Sequence, residues 1–214
     1  MSAADAAEPP RDCPFCPRLV EYRRENRAAH PDWWNGPAPS FGDPDARLLV
    51  LGLAPGRMGA NRTGRPFTGD FAGVLLYETL IKTGFARGTY AARPDDGLEL
   101  VDCMISNAVR CAPPGNKPTP AEEATCRPFL AARLAALPRL EVIVTLGDVA
   151  RRNLLKALDV KATAAPGGHG VEADVGPYRL INSYHCSRLN TNTGRLTPAM
   201  FEAVFQAARA RLDG

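Results

Sequence analysis

The run Arg47-Leu-Leu-Val-Leu-Gly-Leu53 decides the fold. Its residues are almost all apolar with no polar alternation, and it stops at a glycine–proline turn. That pattern fits a strand covered on both faces, as in a parallel sheet. Working outward, Leu140–Leu146 (LEVIVTL) reads the same way, Tyr178–Tyr184 reads as another strand, and Leu98–Val109 contains a further one. Between them the 3.6-residue pattern predicts helices over Arg18–Ala29, Gly73–Thr83, Pro120–Leu137, Asp148–Leu158 and Pro198–Leu212. Pro128, inside the third of these, is expected to kink or break it. Strands alternating with helices imply a three-layer αβα domain around a central, mainly parallel four-stranded sheet. Ligands of such sheets bind beyond the carboxyl ends of the strands. Three chemically unusual segments fall there: Gly52–Asp70, Asn107–Pro120 and His185–Thr197.

The whole composition is compatible with one such domain. A chain of 214 residues can bury a sizeable core. We expect a disordered tail over residues 1–12 and one domain over 13–214. No apolar stretch is long enough to span a bilayer. The N-terminus lacks a basic segment followed by an apolar run, so a cytoplasmic protein is expected. A net charge of +3 permits a polyanionic partner without demanding one. One site accounts for the whole length, so a monomer is expected.

The first segment, GLAPGRMGANRTGRPFTGDFAG over Gly52–Gly73, is neither a Walker loop nor a dinucleotide fingerprint. Its glycines, Gly52 first, let backbone approach a ligand closely. Phe67 offers a face on which a base can stack, and Asp70 offers a carboxylate. The second, Asn107–Pro120 (NAVRCAPPGNKPTP), brings two amides, Asn107 and Asn116, able to read a base edge or orient a water. The third, HCSRLNTNTGRLTP over His185–Pro198, puts His185 directly after a strand and ahead of Ser187, Arg188, Leu189 and Asn190. Arg62, Arg65, Lys117, Arg188 and Arg195 lie in these loops and could contact phosphates.

Of six cysteines, Cys13 and Cys16 form a C-x-x-C pair, and Cys111 and Cys126 form a second pair. Four thiols from two distant segments could enclose a tetrahedral zinc or an iron–sulfur cluster, and composition does not choose between them. Cys103 lies within a strand and reads as core. Cys186 beside His185 has no ligand set around it.

These three segments, in this order and with the four cysteines, resemble the uracil-DNA glycosylase superfamily, most closely its iron–sulfur class called family 5 or type B. The resemblance runs from Cys13 to Pro198. The related family 4 carries Glu in a GEAPG motif where this chain has Leu53 in GLAPG. The resemblance implies a DNA-repair hydrolase that flips uracil or another deaminated base (hypoxanthine, damaged cytosine) out of DNA and cleaves its N-glycosidic bond. It implies that Cys13, Cys16, Cys111 and Cys126 hold a structural [4Fe–4S] cluster. It places Asp70, Asn116 and His185 at the chemistry, with Phe67 and Asn107 on the base. Backbone at Gly52 and Ala54 would face the departing base. Ser187, Arg188, Leu189 and Asn190 would press into the duplex, with Leu189 filling the vacated stack. The family commonly reads His-Pro-Ser where this chain has His185-Cys186-Ser187. A competing reading is a non-catalytic nucleic-acid-binding module with a structural zinc, which leaves Asp70, Asn116 and His185 without a shared purpose. Another is an electron-transfer protein.

Overall fold

The computed structural model describes residues 7–214. Helix α1 (Pro17–Ala29) precedes strands β1 (Phe41–Gly42) and β2 (Leu48–Gly52). Short α2 (Ala60–Thr63) and α3 (Phe71–Lys82) follow, then a small hairpin of β3 (Ala86–Arg87) and β4 (Glu99–Leu100). The chain continues through β5 (Cys103–Asn107), α4 (Pro120–Ala135), β6 (Val142–Leu146) and α5 (Asp148–Ala157). It closes with β7 (Glu172–Val175), β8 (Tyr178–Ser183), α6 (Arg188–Asn192) and α7 (Pro198–Asp213).

Four strands run parallel in the order β5-β2-β6-β8, as the apolar runs imply. Two short strands that the sequence reading did not anticipate extend this sheet antiparallel at its edges, β1 beside β5 and β7 beside β8. The period-2 alternation of a strand sends neighbouring residues to opposite faces. Leu48 and Val50 accordingly pack with Leu76, Tyr77 and Leu80 of α3 and Phe201 and Phe205 of α7. Leu49 and Leu51 pack with Leu130 and Leu134 of α4 and Leu154 of α5. Each face thus has its own core, which is the three-layer arrangement. Among the described residues, no helix is long and apolar enough to cross a membrane.

Two expectations need correcting. Helix α4 is not broken at Pro128 but continues through it to Ala135. A full capping box at Thr119 and Glu122, and the burial of Leu130 and Leu134, hold it together despite the missing N–H. Residues 7–12, expected to belong to a disordered tail, instead make contacts with the body. Ala7 is fully buried. The Glu8 carboxylate pairs with Arg110 and Arg133 and accepts the Ser40 N–H at 3.1 Å. Burial alone would raise the Glu8 carboxyl, but the Arg110 charge and the Ser40 bonds hold it below its ordinary range. The acidic partner is needed because Arg110 is only 1 % exposed, and an unpaired charge so deep is costly. Residues 1–6 lie outside the described residues.

Candidate active site

The register of the sheet brings the first two segments together. Gly52 ends β2 directly beside Asn107 at the end of β5. A Cβ at Gly52 would lie 2.5 Å from Asn107 Oδ1 and 2.7 Å from the Phe67 ring, so only glycine lets amide and ring meet there. Gly52 is therefore a floor beneath the site.

Phe67 is buried and sits at φ +52°, a left-handed conformation that is unusual for a bulky residue. Its turn is pinned from outside. Tyr77 donates to the Pro66 carbonyl at 2.6 Å, and Tyr90 donates to the Phe67 carbonyl at 3.2 Å. Gly73 lets that carbonyl pass so close that a Cβ would meet it at 1.7 Å.

Asp70 is the N-cap of α3, its Oδ1 accepting the Gly73 N–H at 3.1 Å. Its Oδ2 faces Gly59 and Gly56, where an added Cβ would come within 2.4 and 3.2 Å. Burial raises the Asp70 carboxyl above its ordinary value, against the pull of the Gly73 and Ala72 amides. Asn116 stands on a tight turn at φ +57°, following Gly115 at φ +63°.

His185 follows β8, its ring centroid 6.2 Å from that of Phe67. Burial depresses its pKa, so the ring is neutral at neutral pH. Ser187 caps α6 by accepting the Asn190 N–H. Cys186 is fully buried in the same apolar core as Leu196.

One cleft of about 490 Å³ gathers these groups, lined by Ala54, Phe67, Asp70, Asn107, Asn116 and His185 with Ser187 and Arg188 at its edge. Two of the expected DNA-loop residues stand apart from it. Leu189 projects into solvent at 72 % exposure. Asn190 turns back, donating to the His185 carbonyl at 2.8 Å, and so braces the histidine loop. Arg65 does not face a phosphate: it is 5 % exposed and its fork is closed on Asp96 at 2.7 and 2.8 Å. The sequence carries no local sign of that pairing, because Asp96 comes from the β3–β4 loop.

The Asn107 amide is the most telling group. It is 2 % exposed, lines the cleft, and its Oδ1 has no hydrogen-bond partner. A buried acceptor left unmade costs free energy unless a ligand completes it.

Cys13, Cys16, Cys111 and Cys126 line a second cavity together with Leu19, Val109 and Phe129. All are free thiols. The Arg110 N–H donates to Cys126 Sγ at 3.3 Å, and Arg23 approaches Cys111 Sγ at 3.9 Å. Burial pushes the Cys111 thiol up to about 12 and Cys126 up to about 11. Among the described residues, no three His, Cys, Asp or Glu groups converge closely enough to hold a single metal ion. Four cysteines lining one cavity supply the donor set that either an iron–sulfur cluster or a tetrahedral zinc requires.

The protein is thus an αβα domain with a polar cleft at the carboxyl ends of its parallel strands, where ligands of such sheets bind. The family model described as the uracil DNA glycosylase superfamily matches residues 39–209, and the chain belongs to that superfamily. It is 45 % identical to the type-5 uracil-DNA glycosylase of Thermus thermophilus over 94 % of both chains. It is 43 % identical to the type-5 uracil-DNA glycosylase of Mycobacterium tuberculosis over 92 % of this chain and 77 % of that one. Similarity to the type-4 uracil-DNA glycosylase of Thermotoga maritima is lower, 35 % over 71 % of this chain and 70 % of that one.

Proposed function

We propose that this chain excises uracil and other deaminated bases from DNA by hydrolysing the N-glycosidic bond, and that the unpartnered Asn107 amide reads them. Deamination turns an exocyclic amine beside a ring nitrogen acceptor into a carbonyl beside a ring N–H. Uracil and hypoxanthine both carry that lactam edge. An amide with a free acceptor and an adjacent donor complements it in either base. The reading is thus of deamination itself, with Phe67 stacking on whichever ring is presented.

The reaction adds water across the bond: hydroxide character goes to the sugar C1′, and a proton goes to the departing base. Positive charge develops on the sugar and negative charge on the base, as in oxocarbenium-like glycoside cleavage generally. The Asp70 carboxylate opposes the first charge and, with Asn116, orients the water. Neutral His185 donates toward the base oxygen, stabilising the second charge. The substrate is DNA containing the lesion, with duplex the expected form, and the enzyme acts as a cytoplasmic monomer.

Cys13, Cys16, Cys111 and Cys126 hold a [4Fe–4S] cluster, which when bound braces the protein and takes no part in bond cleavage. Cys111 lies between Asn107 and Asn116, so the cluster fixes the segment that carries both amides. Protein purified without oxygen should carry about four irons and four sulfides per chain and absorb in the visible blue. Cys111→Ser should bleach it and lower the melting temperature. Stoichiometric zinc without iron would overturn the cluster assignment.

A base-release assay tests the function, using duplex DNA with one uracil or one hypoxanthine followed by alkaline cleavage. The wild type should act on both. Asn107→Ala should lose about 5- to 150-fold in kcat/KM on each, the equivalent of about 1–3 kcal/mol for a two-point base contact. No release of either base by cluster-loaded protein would sink the reading.

A further inference from the structure

Large apolar side chains exposed to water are few in this fold, and they are not scattered. Six are exposed among the described residues; two of these, Met58 and Phe71, line the active-site cleft, and a third, Leu189, projects into solvent from the adjacent histidine loop. The family resemblance already assigns Leu189 to the duplex. Met58 has no such assignment, although it is 50 % exposed at the cleft wall in the loop after β2.

That loop is held stiffly. Arg57 Nε donates to Asn26 Oδ1 at 2.8 Å, and Arg57 Nη2 lies 3.0 Å from His30 Nε2. Arginine has only donors, so His30 Nε2 is the acceptor there. The Trp33 ring, stacked on His30 at 3.9 Å, lies 5.2 Å from the guanidinium. Arg57 Nη1 then reaches the Met58 sulfur at 3.8 Å. Asn26 belongs to α1 and is buried, so the arginine ties the loop to a rigid element and props Met58 outward. On the histidine-loop side, Arg188 lies 5.0 Å from the Phe71 ring. The mouth is therefore apolar at its tips and cationic at its flanks, which suits a base stack bordered by phosphates.

We propose that Met58, braced by Arg57, is a second wedge that enters the duplex from the loop after β2, as Leu189 does from the loop after β8. Met58 thus sets the preference for paired over pre-opened DNA. The proposal rests on the glycosylase reading. A methionine is suited to the task, since its flexible thioether adapts to whichever bases it meets.

The test compares kcat/KM for one uracil in a fully paired duplex and in a short unpaired bubble within the same sequence. The bubble keeps the flanking phosphates but has no stack to open. Met58→Ala should lose about tenfold on the paired duplex and under about twofold on the bubble. Arg57→Ala should show the same selective loss in milder form, and Met58→Leu should restore activity. The fluorescence rise of 2-aminopurine placed beside the uracil, which reports unstacking on binding, should shrink in Met58→Ala. Equal losses on both substrates, or no loss on either, would overturn the wedge while leaving the glycosylase intact. A wild type inactive on paired and bubble DNA alike would remove the glycosylase reading and the wedge with it.

Discussion

Replacing Asp70 with asparagine is expected to cut base release by about 10²- to 10⁴-fold while leaving the protein as stable as the wild type, or slightly more so. The two halves of that expectation have the same source. Asp70 is the N-cap of α3, and asparagine caps a helix about as well as aspartate. The bond from the Gly73 N–H survives the change. What disappears is the charge facing the cleft beside Gly56 and Gly59. Burial raises this carboxyl, so the fold favours its neutral form, and holding it ionised at neutral pH costs stability. A neutral amide removes that cost. Thermal melting should therefore show no loss in Asp70→Asn, while single-turnover kinetics show the collapse. A parallel drop in both would reduce Asp70 to a helix cap.

The pH profile carries the same argument. The raised Asp70 value moves the point at which its charge is lost to higher pH than for a free carboxylate. Activity should fall on the acid side within that raised range. His185 shifts the opposite way, downward through burial, and also titrates on the acid side. The Asp70 limb should vanish in Asp70→Asn and persist in a His185 variant, which separates the two groups.

The distribution of chemistry along the chain explains what was legible in the sequence. The parallel strands β2 and β6 were readable because each is buried throughout and forms a near-continuous apolar run, while β5 and β8, with polar residues in them, stood out less sharply. The short edge strands were not, because β1 is only Phe41–Gly42 and is held by pairing with β5. The cleft residues were readable because glycine, aromatic and amide positions crowd into three segments at strand ends. Their exact duties were less so. Asn190 sits in the histidine loop by sequence, but a bond to the His185 carbonyl turns it inward. Arg65 looks like a phosphate contact until a partner 31 residues away is known. The Arg57–His30–Trp33 brace is likewise invisible locally, since α1 and the loop after β2 meet only in the fold. Long-range pairing of charged side chains leaves no periodic trace, whereas burial of strands and helices does.

That buried pairing of Arg65 underlies the largest expected effect on stability. Asp96→Ala should lower the unfolding free energy by about 3 kcal/mol, because it strands a charge that is 5 % exposed. The wild-type fork is bidentate, and Arg65 Nε also donates to Thr68 Oγ1 at 2.7 Å. The guanidinium lies 5.2–5.9 Å from the rings of Phe41, Tyr77 and Tyr90. The Asp96 side chain is itself buried in the pair, but the flanking loop residues are exposed, so water can reach the gap left by alanine, which places the cost at the lower end for a broken buried pair. The arginine hydrogen bonds, together with the Ala91 and Leu98 amides, outweigh burial and hold the Asp96 carboxyl well below its ordinary range. A carboxyl depressed in the folded state stabilises the protein above its unfolded pKa of about 3.9, and that contribution drains away as pH falls through the folded value. Acid should therefore destabilise Asp96→Ala less steeply than the wild type, as read by urea unfolding at stepped pH. Because the same brace supports the strained Phe67 turn, the variant should also bind uracil-containing DNA with a raised KM. Arg65→Met combined with Asp96→Ala should recover part of the stability, since removing both partners leaves no charge unpaired. A loss under about 1 kcal/mol in Asp96→Ala would instead mark the pair as screened by solvent, like an ordinary surface ion pair.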